Sequence, residues 1–313
     1  MRLGDTPEVR ELIALARRED LGSGDITSAL LETTATPARF QLLAKASGVF
    51  AGREIAPPIL AAFDPAIRIE WIPAIVDGAR LSTPRTELAS IRGPLASILS
   101  AERTLLNFLQ RLCGIASLTR AFVDAVAGTQ AAIYDTRKTV PGWRLLDKYA
   151  VRCGGGRNHR MGLYDAVLLK DNHLAGFDPR RLAATVFEML NRLPAGQGEA
   201  PAEPTEPRAS ARADSPPAEP QVEIEVSSLE QFEQLLNVVA VDVILLDNFH
   251  TAQLRQAVQL RDARGLRGKI ELEASGGVTL HNVRDIAAAG VERISVGAIT
   301  HSVPALDLSL ERT

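Results

Sequence analysis

A chain of 313 residues is long enough for a large single core, or for one α/β barrel with a smaller companion domain. Hydrophobic residues make up 46%, charged residues 23% and the formal net charge is only −3, so nothing in the bulk calls for nucleic acid or an acidic membrane as partner, and any anion-binding site has to be a local cluster. Two cysteines, Cys113 and Cys153, argue against a disulfide framework, and no apolar run approaches the length of a membrane span.

The N-terminal stretch MRLGDTPEVRELIALARRED carries charges throughout and lacks the apolar core of a secretory signal, so it reads as the first helix of a cytoplasmic protein. Thr6-Pro7-Glu8 supplies an N-cap, a proline in the first turn and an early acid. Val9, Leu12, Ile13 and Ala16 then form an apolar stripe, and the helix should close near Arg18. Residues 38–46 alternate around Phe40, Leu42 and Ala44, and 67–75 has similar strand character, which predicts a small sheet packed on helices. Two consecutive helices are expected over 97–112 and 115–126. Beyond residue 130, short β-rich runs alternate with helical patterns, the grammar of parallel βαβ units. Six runs can be marked, at 132–134, 166–169, 222–226, 241–246, 270–274 and 293–296, and their helical crossovers require a barrel or an open doubly wound sheet. Residues 195–220 are rich in proline, alanine and acids, with almost no core former, and are predicted to be an inert, disordered insertion. Leu306, Leu308 and Leu310 alternate with polar residues, a half-exposed strand free to return to the first sheet.

Chemically capable side chains gather at the C-terminal ends of these six runs, the edge where parallel α/β folds build their sites. Asp135, Arg137 and Lys138 follow the first run, and Lys170, Asp171, Asn172 and His173 the second. Glu225 closes the third, Asp247 and Asn248 follow the fourth, Ser275-Gly276-Gly277 the fifth and Gly297 the sixth. Arg137, Lys138, Arg160 and Lys170 with His159, joined by Arg103 from the helix beginning near Ser97, offer planar forks and point charges to a polyanionic ligand. Glu225 and Asp247 suit Mg²⁺ or ribose hydroxyls, and the plain structural alternative is an ion pair with the nearby lysines. Ser275-Gly276-Gly277 and Val296-Gly297-Ala298 open the last two loops, where free backbone N–H groups can take a phosphate. Gly154-Gly155-Gly156 fits no dinucleotide or P-loop pattern and reads as a flexible or closely packed loop that positions Asn158, His159 and Arg160. Cys153 beside it reads as a small buried or loop thiol rather than a nucleophile.

ERTLLNFLQRLCGIAS (102–117), DTRKTVPGWR (135–144), DKYAVRCGGGRNHRMGLYDAVLLKDNH (147–173), EIEVSSL (223–229), ILLDNF (244–249), EASGGV (273–278) and ISVGAITHS (294–302) occur in this order, and together they resemble the quinolinate phosphoribosyltransferase family. DTRKT and GGG-x-NHR are highly specific, while the 195–220 insertion is foreign to the pattern and Cys113 and Trp143 are local variations. The resemblance implies an incomplete parallel α/β barrel of six to seven strands over 113–301, beside an N-terminal α/β sandwich over 1–112 that the tail 302–313 joins. It implies a pentosyltransferase that joins quinolinate to phosphoribosyl pyrophosphate, releases CO₂ and pyrophosphate, and leaves nicotinate mononucleotide for NAD biosynthesis. Arg137, Arg160, His159 and Lys170 would then bind the two quinolinate carboxylates, with Arg103 reaching in from the neighbouring subunit of a homodimer or higher oligomer with shared sites. By the same resemblance Thr136 contacts substrate, Lys138 meets the pyrophosphate or ribose, Glu225 and Asp247 hold the ribose hydroxyls and Mg²⁺, and the two glycine turns receive the 5′-phosphate. Lys138 or Lys170 is the implied stabiliser of charge during decarboxylation. A related transferase for another anionic heterocycle and a catalytically silent phosphate-binding barrel stay open as alternatives.

Overall fold

The computed structural model describes residues 3–31, 36–83, 85–192 and 220–313, so the insertion expected at 195–220 lies outside the described residues except for Pro220. The first elements are α1 (Pro7–Leu21), β1 (Pro37–Ala44), β2 (Gly48–Val49), α2 (Ala56–Phe63), β3 (Arg68–Trp71), β4 (Arg80–Leu81), β5 (Thr86–Pro94) and α3 (Leu95–Ala125). There follow β6 (Ala132–Tyr134), α4 (Arg144–Cys153), β7 (Ala166–Leu169), α5 (Asp171–Leu174), α6 (Leu182–Leu190), β8 (Gln221–Val226) and α7 (Leu229–Leu235). The last are β9 (Val243–Asp247), α8 (Thr251–Ala263), β10 (Glu271–Ser275), α9 (Val283–Ala287), β11 (Arg293–Ser295), α10 (Ala298–His301) and β12 (Leu308–Arg312). Two compact units result, one of Met1–Arg120, Lys138–Gly156 and Ala298–Thr313, the other of Ala121–Arg137 and Arg157–Gly297. Among the described residues no helix is long and apolar enough to cross a membrane.

In the first unit α1 opens behind Thr6 with proline in its first turn and buries Val9 and Ile13. It runs to Leu21, one turn past the expected end, because Gly22 takes φ 51° and its N–H closes the helix on the Arg18 carbonyl. An antiparallel sheet forms in the order β12-β1-β5-β3, with Phe40 opposite Arg312 and Ala44 opposite Leu308. Sequence patterning misses β5. Flanked by β1 and β3, it buries Leu88, Ala89, Ser90 and Ile91 in an unbroken run, so the period-two alternation that betrays an edge strand is lost. The two helices expected at 97–112 and 115–126 are one, α3, and the boundary expected at residue 112 falls inside it. Gly114 is kept within this helix because a Cβ there would meet the Pro304 carbonyl oxygen at 2.3 Å. Ile98, Leu105, Leu109 and Leu112, at helical spacing along α3, are completely buried in the core of this unit.

In the second unit all six strands are parallel, in the order β6-β11-β10-β9-β8-β7. Strands β7 to β11 follow one another in sequence, and β6, first in the chain, lies beside β11, the last. That wrapping is a barrel left open between β6 and β7. Each of the six strands expected from sequence is present within two residues of its predicted ends.

Candidate active site

Parallel register carries the C-terminal ends of the strands to one edge. Ser275 pairs with Asp247, Val226 with Leu246, Leu169 with Ile224 and Ser295 with Tyr134. Because successive strand residues alternate faces, Gln221, Glu223 and Glu225 share one face of β8, as do Glu271, Glu273 and Ser275 on β10.

At this edge Arg137 follows β6 and Arg160 precedes β7, both half-buried. Burial, and then the like charge of Arg137, hold the Arg160 guanidinium below its ordinary range. Arg160 donates to the Ala166 carbonyl at 3.2 Å, while its buried Nε has no hydrogen-bond partner among the described residues. Lys170 caps α5, its N–H donating to Nδ1 of His173 at 2.9 Å, and its ammonium is paired with Glu225. The structural alternative weighed for Glu225 is therefore realised. Asp247 accepts from the Asn248 side chain at 2.8 Å. Glu225, Asp247 and Asp171 nevertheless line one cleft of about 220 Å³, together with Ser227 and the apolar Leu174, Phe177 and Leu182.

Beneath this edge lies a buried cluster. Nε2 of His159 is 2.9 Å from a Glu223 oxygen and 3.5 Å from a Glu273 oxygen. Glu273 is completely buried, paired with Nε of Arg293 at 2.6 Å and accepting from the Ser295 hydroxyl. Arg293 lies over the Tyr134 ring, 4.2 Å from its centroid. Burial and the neighbouring Glu223 push Glu273 up, against the pull of Arg293 and His159. Burial also opposes charge on His159, but its hydrogen bond to Glu223 and the two carboxylates outweigh it and hold the ring above the ordinary 6.5. Three ligand-type atoms of His159, Glu223 and Glu273 come within 4.8 Å of one another, but Arg293 already supplies the positive charge a metal ion would bring. Although the resemblance implies that His159 meets ligand carboxylates, its Nε2 is turned here to carboxylates of the protein.

The glycine turn after β10 has Gly276 at φ 91° and Gly277 at φ 60°. Only glycine fits at 276, because a Cβ would stand 2.1 Å from the Asn248 side-chain oxygen, and Asn248, itself at φ 57°, donates its N–H to the Ser275 carbonyl at 2.9 Å. The turns after β9 and β10 are thereby locked together. Val296 is buried and its N–H donates to the Tyr134 carbonyl at 2.9 Å, and Gly297 ends the second unit. Thr136 lies with Arg137 in that unit, whereas Arg103, Lys138 and Ala298 belong to the first. There Arg103 is exposed on α3, and the Lys138 carbonyl accepts the Thr300 hydroxyl at 2.8 Å. Burial pushes the Cys113 thiol up to about 12 and raises that of Cys153, as expected of structural thiols.

Sequence reasoning missed Glu223, Glu273 and Arg293. The available signal was an acid at alternate positions of otherwise apolar parallel strands, EIEV and ELEA. Both faces of such strands are covered, so an acid there has to be paired.

Residues 25–113 match the model of the quinolinate phosphoribosyl transferase N-terminal domain, and residues 115–189 and 205–311 that of its C-terminal domain. The nicotinate-nucleotide pyrophosphorylase [carboxylating] of Mycobacterium leprae is 39% identical over 303 residues, covering 96% of each chain. Quinolinate phosphoribosyltransferase [decarboxylating] 1 of Nicotiana glauca is 36% identical over 98% of this chain and 83% of its own. The solved nicotinate-nucleotide pyrophosphorylase of Francisella tularensis superposes with a TM-score of 0.80 at 31% identity, covering 100% of this chain and 99% of the other. With both domain models matched in order, and with one unit holding an open six-stranded barrel and the other a four-stranded sheet, the chain belongs to the quinolinate phosphoribosyltransferase family.

Proposed function

We propose that this chain transfers the phosphoribosyl group of phosphoribosyl pyrophosphate to quinolinate, with loss of one carboxylate as CO₂, and so makes nicotinate mononucleotide for NAD biosynthesis. The observation that carries this reading is the pair Arg137 and Arg160. Two guanidiniums of like charge are brought together at the strand ends, and the more buried edge of Arg160 is left with an unused donor. Such a pair is stabilised by a ligand that brings two negative charges, and a pyridine dicarboxylate does so. Lys170, paired here with Glu225, adds a third cation, and on this reading Glu225 would turn to the ribose once an anion arrives.

In the reaction the pyridine nitrogen bonds to the anomeric carbon as pyrophosphate leaves with the bonding pair. The carbon–carbon bond to the 2-carboxylate then breaks, CO₂ departs and the ring carbon takes a proton. Positive charge builds at the anomeric carbon while the ring is held in line, so positioning and charge stabilisation contribute more than a general base. Glu225 and Asp247, hard oxygen donors on one cleft, fit Mg²⁺ in character and would hold it beside the ribose. Bound there, the ion would neutralise the departing pyrophosphate. The Gly276 and Gly297 turns would take the 5′-phosphate on backbone N–H groups, and Lys138 the pyrophosphate or ribose. We read Arg103 as completing the site of a second copy in a homodimer or larger oligomer, and the cytoplasm as the compartment. The chain incubated with quinolinate, phosphoribosyl pyrophosphate and Mg²⁺ should form nicotinate mononucleotide. Absence of product from folded protein would refute the proposal.

A further inference from the structure

Asp135, completely buried just after β6, accepts the backbone N–H of His159 at 2.8 Å. His159 in turn accepts the backbone N–H of Arg160 on its Nδ1, again at 2.8 Å. Above its raised pKa the ring is neutral, and with Nδ1 accepting, its one proton sits on Nε2 and is donated to Glu223. Both ring nitrogens are therefore engaged by the protein. The chain of contacts runs on through Glu273 to Arg293, and from Arg293 to the face of Tyr134. Burying carboxylates and a guanidinium is costly, and one Glu223 oxygen has no hydrogen-bond partner among the described residues. Stability alone gives no reason for such a cluster. What it does fix is the azimuth of one imidazole, and through it the backbone that launches Arg160.

We propose that Glu223, backed by Glu273 and Arg293, sets the His159 ring so that its Nδ1 pins the Arg160 backbone, which makes His159 and Glu223 positioning residues for Arg160 rather than ligands of the substrate. Asp135 ties the same segment to the strand end that carries Arg137, so both guanidiniums are set from one buried base. The inference rests on the reading of Arg160 as a quinolinate ligand.

Conservative variants separate the two ring nitrogens. Asparagine places its amide oxygen where Nδ1 lies, whereas glutamine places its amide nitrogen where Nε2 lies. Calorimetric titration of the full chain with quinolinate, and separately with phosphoribosyl pyrophosphate and Mg²⁺, reads the effect on each substrate. His159→Asn should keep quinolinate affinity within about threefold, while His159→Gln should lose about tenfold or more, the cost of one partly buried hydrogen bond. Glu223→Gln, which keeps an acceptor for Nε2–H, should behave like the first, and Glu223→Leu like the second. Affinity for phosphoribosyl pyrophosphate should not change in any of them. The Glu223 pair decides the matter should a His159 variant fail to fold. The reverse ranking of Asn and Gln would show Nε2 to be a direct ligand and overturn the proposal, as would equal loss of both substrates together with a lowered unfolding temperature. Wild-type protein that binds no quinolinate would remove the functional reading itself, and this assignment with it.

Discussion

Nicotinate differs from quinolinate by the 2-carboxylate, and the geometry around Arg160 sets what that difference is worth. Bound nicotinate brings one counter-charge fewer to the Arg137–Arg160 pair while the ring still excludes water from it. Removing one partner of a desolvated ion pair costs about 3–5 kcal/mol, and because Arg160 is half-buried the lower end applies. At ~1.4 kcal/mol per tenfold, about 3 kcal/mol is a preference of roughly a hundredfold in kcat/KM for quinolinate. Arg160→Met keeps much of the stem and removes the charge, so it should lower activity on quinolinate and shrink the preference to about tenfold or less. Steady-state kinetics with the two acids as competing acceptors, in wild type and variant, give all four values. An unchanged preference in Arg160→Met would refute the reasoning, because the second carboxylate would then be recognised elsewhere.

Other consequences can be checked independently. Arg103 is exposed on α3, so mixed Arg103→Ala and Arg160→Ala chains should regenerate part of the wild-type activity through hybrid oligomers; hybrids that form and stay inactive would exclude a shared site. Arg111 forks onto the completely buried Asp147 at 3.0 and 2.8 Å, and Arg111→Met should cost about 3–5 kcal/mol by denaturant titration, much of it recovered when Asp147→Asn is added. Hydrogen bonds from Ser28 and Ser100 lower Asp25 from 3.8 to about 2. Its stabilising contribution is thus present above the unfolded value and fades as pH falls from about 4 towards 2, and Asp25→Asn should flatten that part of a stability–pH curve.

The barrel was legible because parallel strands covered on both faces leave compact apolar runs, and the register carries the polar residues that follow each run to one edge. Strand β5 was hidden by the same physics, since a central strand with no exposed face shows no alternation. The break expected between residues 112 and 115 does not occur, and Gly114, which lies there inside α3, lets the 304–305 segment approach the helix. The carboxylates around His159 were not legible. Local sequence shows a histidine beside an arginine, whereas the carboxylates that orient it come from β8 and β10, 64 and 114 residues further on, and only the sheet register brings them together. The position of Lys138 after the first strand run and the charge of Arg103 marked them as members of a basic cluster, but their separate roles come only from the family resemblance, because no pattern within their own helix or loop distinguishes them from solvated charges.

Quinolinate carrying a carbon label in its 2-carboxylate tests the central claim most directly. In the presence of phosphoribosyl pyrophosphate and Mg²⁺, labelled CO₂, pyrophosphate and nicotinate mononucleotide should appear in equal amounts, and none of them when phosphoribosyl pyrophosphate is withheld. Pyrophosphate released without labelled CO₂, or a nucleotide product that retains the label, would contradict the account.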